Sequence, residues 1–452
     1  MPPTPAANDN DNDITIHTST LFDPKQKRFL TNTTLTVSPT TGLITSIHPT
    51  PSPPPPSTGH TIDLRSHQNQ QPLTILPGLV DAHTHIFLHP YAEAAALVQK
   101  RDESAAERIL RAANHARAGL LAGYTTYRDL GSEGMGDADA RVRDAVARGI
   151  VAGGPRMFVA TRALAGTGGY EVRSENAAGD GCCGGGGGGV TLPAGGEAVD
   201  GVLECRKAVR RRIAAGADVV KFYADYRRRM MRWPPAQQHP YVAGVLCPPE
   251  VPNPDVMVLD EEEMDAIVRE ARLAKCPVAA HCGSVEAGLA AVRAGATTVE
   301  HGYFASEELF EEMVKRKTIF VPTLAVCERL HQHRFGEILA NAGLAYKMGV
   351  RFAAGGDTGT FPHGENVREV ELMIEAGMPL EDALESCTVG GWEACGGDWC
   401  GVKFGWFEPG CRADIIALEG DPREDLGALR RVSFVMKDGK VWKKDGEAVG
   451  MI

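Results

Sequence analysis

The sequence predicts an α/β fold: a (β/α)8 TIM barrel with a small composite β-sandwich domain built from the N- and C-terminal segments. Three observations predict it. From residue 75 onward, short apolar runs alternate with longer helical patterns, the mark of βα units on a parallel sheet. Eight such runs occur, the number that closes a barrel. Short Thr-, Ile- and Val-rich runs precede and follow that region, placing further strands at both chain ends.

Taken in order, residues 1–13 are rich in Pro, Asn and Asp. They lack the basic start and apolar core of a signal peptide and read as a disordered terminus. The runs Ile14–His17, Thr33–Val37 and Leu43–Ile47 open the composite β-domain, assigned to 14–74 and 398–452. Pro53–Pro56 reads as an insertion between strands. The barrel, 75–397, takes its strands from Ile75–Val80, Tyr124–Arg128, Met157–Thr161, Val219–Tyr223, Pro277–His281, Thr298–His301, Ile319–Leu324 and Arg351–Gly356. Helices are predicted over Ala105–Ala122, Leu259–Ala274 and Ser306–Lys317; Glu261, Glu262 and Glu263 crowd the start of the second, where the helix dipole favours negative charge.

Two interruptions break the rhythm. One runs from Ala165 to Asp200 and contains Gly184–Gly189, too much glycine for a packed element, so a mobile loop is predicted. The other runs from Tyr226 to Asp255 and contains Arg227, Arg228 and Arg229. Both follow barrel strands, at the face where substrate covers are expected. The chain then returns to short strands: Ala413–Leu418, Val432–Phe434, Val435–Lys437 and Lys440–Trp442, with Asp438-Gly439 as a hairpin turn.

Composition excludes several classes. The 452 residues, 43% hydrophobic, suffice for one barrel plus an accessory module. A formal net charge of -11 argues against nucleic acid or an anionic membrane as partner. Eleven cysteines, an odd number that includes the adjacent Cys182 and Cys183 but no Cys-x-x-Cys, argue against a disulfide framework and a thiolate zinc cluster. No run approaches the ~20 apolar residues that span a bilayer. The expectation is a cytoplasmic protein acting on a small molecule; a homo-oligomer is left open.

The chemistry concentrates at strand ends. Leu76-Pro77-Gly78-Leu79-Val80-Asp81-Ala82-His83-Thr84-His85 is an apolar run ending in His-x-His. Strand side chains alternate with period 2, so His83 and His85 share a face and can chelate a metal. Lys221 follows Val219-Val220, His281 follows Val278-Ala279-Ala280, His301 follows Val299-Glu300, and Asp357 follows Gly355-Gly356. Singly, each has a plainer reading: a satisfied polar residue, an edge lysine with its head in solvent, a helix cap. Together they stand at the C-terminal ends of strands one, four, five, six and eight, which converge on one mouth in a parallel barrel. A bare ammonium in a central strand is costly to bury, which sets Lys221 apart.

These motifs, with Thr125-Thr126-Tyr127-Arg128-Asp129-Leu130-Gly131 and Phe407-Glu408-Pro409-Gly410-Cys411-Arg412-Ala413-Asp414-Ile415, resemble the amidohydrolase superfamily from about residue 14 to 445. Within it the chain is similar to the imidazolonepropionase-related branch that holds binuclear Xaa-Pro dipeptidase-like and ochratoxinase-like hydrolases. The resemblance implies that His83, His85 and Asp357 bind one divalent metal and His281 and His301 a second. Lys221, carbamylated by carbon dioxide, would bridge the two. Zinc suits such nitrogen and oxygen ligands best. The reaction implied is metal-assisted hydrolysis of an amide in a small molecule, an N-acyl amino acid or dipeptide, ochratoxin-type amides included. Asp357 is expected to move the proton, with Lys221 as the other catalytic group. Tyr223 and Tyr226, just past the lysine strand, are candidate substrate contacts, as are Tyr170, which stands in Gly168-Gly169-Tyr170 where many members have Gly-Gly-His, and His363. His89, His331 and His333 receive no role. The alternatives are a mononuclear cyclic-amide or imidazolone hydrolase, which would lack a ligand lysine, and a non-catalytic barrel scaffold, which would have lost ligands.

Overall fold

The computed structural model describes residues 13–51, 60–66, 72–170, 194–227, 237–239, 241–247 and 253–451. Residues 1–12, Pro53–Pro56, Cys182, Cys183, Gly184–Gly189, Arg228 and Arg229 lie outside the described residues.

Both chain ends enter one nine-stranded sheet. Its order is Glu447–Ala448, Lys440–Lys444, Val432–Lys437, Ile415–Glu419, Leu73–Pro77, Ile14–Asp23, Arg28–Ser38 and Leu43–Pro49, with His60–Leu64 also paired to Ile14–Asp23. Laid flat, the Arg28–Ser38 and Val432–Lys437 strands would stand about 19 Å apart, four strand spacings. Yet Ala413 joins their turns, its N–H donating to the Gly42 carbonyl at 2.9 Å and its carbonyl accepting from Gly439 at 3.1 Å. The sheet therefore folds over, closing Ile16, Leu35, Val37, Phe434 and Met436 into one core. The expected sandwich layers are the two halves of a single sheet. Asp438 (φ 50°) and Gly439 (φ 74°) are both left-handed, as a tight hairpin between Lys437 and Lys440 requires. The predicted break between Phe434 and Val435 is absent; Val432–Lys437 is one strand whose register shifts at Val435 and Met436.

The central region forms two parallel sheets. One holds Leu79–Thr84, Tyr124–Asp129 and Arg156–Val159. The other holds Gly196–Ala198, Ala163–Ala165, Val220–Tyr223, Val278–Cys282, Thr298–His301, Ile319–Val321 and Arg351–Phe352. Backbone contacts link them on both sides: Asp218 N–H donates to the Val159 carbonyl at 2.8 Å, Ala82 N–H to the Ala354 carbonyl at 2.9 Å, and Thr84 bridges Thr358.

The predicted first strand, Ile75–Val80, is corrected. Leu73–Pro77 pairs antiparallel with Ile415–Glu419 in the terminal sheet, beyond the expected boundary at 74, and the parallel strand begins at Leu79. The crossing falls at Pro77-Gly78, where a Cβ on Gly78 would meet the Thr125 hydroxyl at 2.2 Å. The last two strands are shorter than predicted. Leu324 already opens a helix, Leu324–Leu330, and after Phe352 the chain runs to Gly355, where a Cβ would meet the His83 backbone nitrogen at 2.6 Å. Only a glycine-bearing segment passes that closely.

The predicted helices form with their caps. Ser104 caps Ala105–Leu121, Asp260 and Glu263 make a capping box on Glu261–Leu273, and Ser306 caps Glu307–Arg316. The long loop after Tyr226 carries strands of its own, Asp225–Arg227 against Asp255–Met257 and Gln237–Gln238 against Leu246–Cys247. Among the described residues no helix is long and apolar enough to cross a membrane.

Candidate metal centre

The strand ends bring the predicted ligands together. The His83 and His301 rings lie 5.0 Å apart, His281 and His301 4.5 Å, and His83 and His85 5.4 Å. The Asp357 carboxylate stands 3.3 Å from His85 Nε2 and 3.7 Å from His83 Nε2. Among the described residues, His83, His301 and Asp357 bring their ligand atoms all within 4.8 Å of one another, a set that crosses the expected division between two metals. His301 (φ 70°) and Asp357 (φ 63°) both sit in the left-handed region, strained for residues with a Cβ. Such strain concentrates where a side chain must be aimed at a site.

Three of the four rings are aimed from behind. The His83 Nδ1 lies 2.8 Å from Glu300 Oε2, the His85 Nδ1 3.1 Å from the Gly131 carbonyl, and the His301 Nδ1 2.9 Å from Thr323 Oγ1. All three therefore leave Nε2 for a metal. The His281 Nε2 turns instead toward the buried Asp225, 4.0 Å away.

The electrostatics suit a cation. Burial, then the Lys221 charge, pulls His83 down to about 4 and holds His281 well below the ordinary imidazole value. Burial and the neighbouring His281 do the same to His301. Neutral imidazole is the ligand form. His85 differs: burial pulls it down, but the hydrogen bond to Asp357 and the Glu133 charge outweigh it and carry it up to about 9. Burial likewise opposes ionisation of Asp357, and the His83, His85 and Lys221 charges bring it to about 2. A metal cation beside Asp357 can replace the His85 proton as its counter-charge.

Lys221 decides the fit. It is buried among these residues, and its Nζ has no hydrogen-bond partner among the described residues. Burial lowers it to about 8, so the neutral amine is accessible near neutral pH. An orphaned amine in a nest of candidate metal ligands is a costly arrangement as it stands. Addition of carbon dioxide to the nitrogen, with loss of a proton, turns it into an anionic two-oxygen ligand. The donor set thus fits divalent metals.

Several functional residues escaped the sequence argument. Glu300 is fully buried, takes Arg128 at 2.8 Å on one oxygen and His83 on the other, and stays ionised well below the usual range despite burial. Its signal was a lone carboxylate beside His301 in a short strand; the left-handed backbone of His301 lets both side chains reach His83. Asp81 binds the His83 N–H at 3.0 Å and Thr358 and Asn366 at 2.7 Å each, tying the His-x-His strand to the Asp357 segment. Glu300→Gln should weaken metal affinity about 10- to 100-fold, read by competition with a chelator. Wild-type affinity in that variant would mean that His83 needs no carboxylate to orient it.

The substrate candidates divide. Tyr170 and Tyr223 stack at 4.2 Å, Tyr226 meets both edge-on, and Tyr223 lies 4.4 Å from the His281 ring. His363 is buried against His115 at 4.4 Å and Tyr127 at 5.9 Å, beside the 105–121 helix. His331 lies 4.8 Å from Tyr303, which packs on His301 at 5.2 Å.

The amidohydrolase family profile matches residues 74–442. The ochratoxinase of Aspergillus niger is 30% identical over 416 residues, covering 85% of this chain and 78% of that protein. A Xaa-Pro dipeptidase crystallised with methionine in its active site superposes with a TM-score of 0.77 at 28% identity, covering 96% of this chain and 100% of the dipeptidase. The A. niger ochratoxinase structure superposes with a TM-score of 0.76 at 26% identity, covering 96% of each chain. Family members are in general metal-dependent. With the ligand cluster at its strand ends, the chain belongs to the amidohydrolase family, as a hydrolase of carbon–nitrogen bonds.

Proposed function

We propose that this chain is a binuclear metal-dependent amidohydrolase that cleaves the amide of an N-acyl amino acid or dipeptide with a free carboxylate, ochratoxin-type amides included. The observation that carries the reading is the buried Lys221 Nζ, without a hydrogen-bond partner among His83, His281, His301 and Asp357. A single-metal imidazolone-type site has no use for that lysine. A scaffold would have lost ligands, and all six are present.

Eight of the ten strands in the two parallel sheets, all but the short Ala163–Ala165 and Gly196–Ala198, are read as one closed (β/α)8 barrel, since backbone hydrogen bonds join the two sheets on both sides. The folded terminal sheet is read as the second domain, with the boundary moved to Gly78.

His83, His85 and Asp357 would hold one metal, His281 and His301 the other, with carbamylated Lys221 between them; zinc suits the donors best. Bound there, the metals supply Lewis acidity and lower the pKa of water toward ~7. Asp357, ionised and strained toward the cluster, accepts the proton of the attacking water and delivers it to the leaving nitrogen. The tyrosines beside His281 form a wall that orients the substrate. Arg227, paired in register with Asp255 on the strand after the lysine, offers the charge for a substrate carboxylate. The partner is thus a small amide rather than nucleic acid or a membrane, and the setting proposed is the cytoplasm.

Metal analysis of protein expressed with bicarbonate tests the centre. About two metals per chain supports this reading, about one the imidazolone type. Comparing each acyl amino acid with its C-terminal amide tests the substrate. A kcat/KM at least about 10-fold lower for the amide is expected, the loss of one charged contact. Equal values would exclude carboxylate recognition.

A further inference from the structure

Behind the tyrosine wall lies a buried ion pair that the hydrolytic reading does not use. Lys100, on the Ala96–Asp102 helix, and Glu133 are each 3% exposed and in direct contact. The Tyr170 hydroxyl sits between them, donating to Glu133 Oε2 at 2.7 Å and accepting from Lys100 Nζ at 3.1 Å. The other Glu133 oxygen, Oε1, reaches to 3.5 Å from His85 Nδ1. Glu133 is itself held in the left-handed region (φ 50°), and its carbonyl accepts from Arg108 at 2.8 Å.

A strained residue fixed through its backbone and both side-chain oxygens is over-determined, and such positions serve a site more often than a core. The hydroxyl of Tyr170 is spent on this pair, so the residue offers its ring to the site. That ring lies parallel to Tyr223, at 11° between planes, and Tyr223 in turn packs on His281. One carboxylate therefore touches a proposed metal ligand on one side and the aromatic wall on the other.

We propose that Lys100 and Glu133 are positioning residues that anchor the Tyr170 hydroxyl and so set the Tyr170–Tyr223 wall against His281, fixing how the substrate's side chain is held. The inference rests on the hydrolase reading for its substrate, but the anchoring can be read without turnover. Stacked tyrosines in a fixed array give a strong near-ultraviolet circular dichroism, which falls when one ring is freed.

The test uses Lys100→Met, Glu133→Gln and Tyr170→Phe, with Arg156→Met as control. Arg156 is also buried and paired, with Asp414 at 2.8 Å and Asp438 at 2.5 Å, but belongs to the contact with the terminal sheet. With metal content matched to wild type, each of the first three should raise KM for an N-acyl amino acid about 10-fold and change kcat less than about 3-fold. Lys100→Met and Glu133→Gln, which keep every tyrosine, should also reduce the tyrosine dichroism, while the control leaves KM and dichroism unchanged. Tyr170→Phe keeps the ion pair and the ring, so it stays informative if the charge variants fold poorly. Wild-type KM in folded Tyr170→Phe, or wild-type dichroism in folded Lys100→Met or Glu133→Gln, overturns the proposal. If the wild-type enzyme cleaves no amide, the hydrolase reading fails, and the dichroism still decides the anchoring.

Discussion

Lys221→Ala should lose bound metal and activity together, with kcat/KM falling about 10³-fold or more, because the variant removes the ligand proposed to join both metals and leaves their charges uncompensated. Added acetate or formate should restore part of both, since a small carboxylate can enter the space left by the side chain and supply the missing oxygens. Burial leaves Lys221 with a pKa of about 8, and only the neutral amine adds carbon dioxide. At a fixed concentration of dissolved carbon dioxide, reconstitution of metal-free protein should therefore speed up as pH rises from 7 through about 8 and then level off. Two measurements check this: metal content by mass spectrometry and activity against added carboxylate. Full metal content and full activity in the alanine variant would remove Lys221 from the centre.

Asp357→Asn should lower kcat by about 10²- to 10⁴-fold, the range for loss of a general acid–base group, with KM changing less than about 3-fold. Asparagine keeps the shape and can still accept a hydrogen bond from His85, but it takes up no proton in the working pH range. Asp357 is held at about 2 by His83, His85 and Lys221 against the effect of burial, so the wild-type group is ionised and ready as a base throughout neutral pH. Because Asp357 is also a proposed ligand, the comparison is made at equal metal occupancy. A kcat within a few-fold of wild type at that occupancy would assign the proton transfer elsewhere.

Much of the site was legible because its residues end apolar strands. His83, His85, Lys221, His281, His301 and Asp357 each interrupt a hydrophobic run with a ligand-capable group, and strand period 2 makes such an interruption visible. The helices Ala105–Leu121, Glu261–Leu273 and Glu307–Arg316 were legible for a similar reason, being set by side-chain periodicity over a few turns. The crossing at Pro77-Gly78 was missed because one apolar run serves two sheets. Hydrophobicity does not record which partner strand each half chooses, and the distant Ile415–Glu419 decides it.

The sequence by itself determined the element types, the family motifs and the set of residues able to hold metal, since these depend on side-chain chemistry and short-range periodicity. Only the tertiary structure decided which groups orient them. Arg128 reaches Glu300 across 172 positions, Glu300 reaches His83 across 217, and Tyr170 reaches Lys100 across 70. It also stacked His363 on His115 and folded the terminal sheet over its own core. The physical reason is the same in each case. A buried charge or ring takes its final direction from the partner that offsets its desolvation, and chain folding, not sequence distance, supplies that partner.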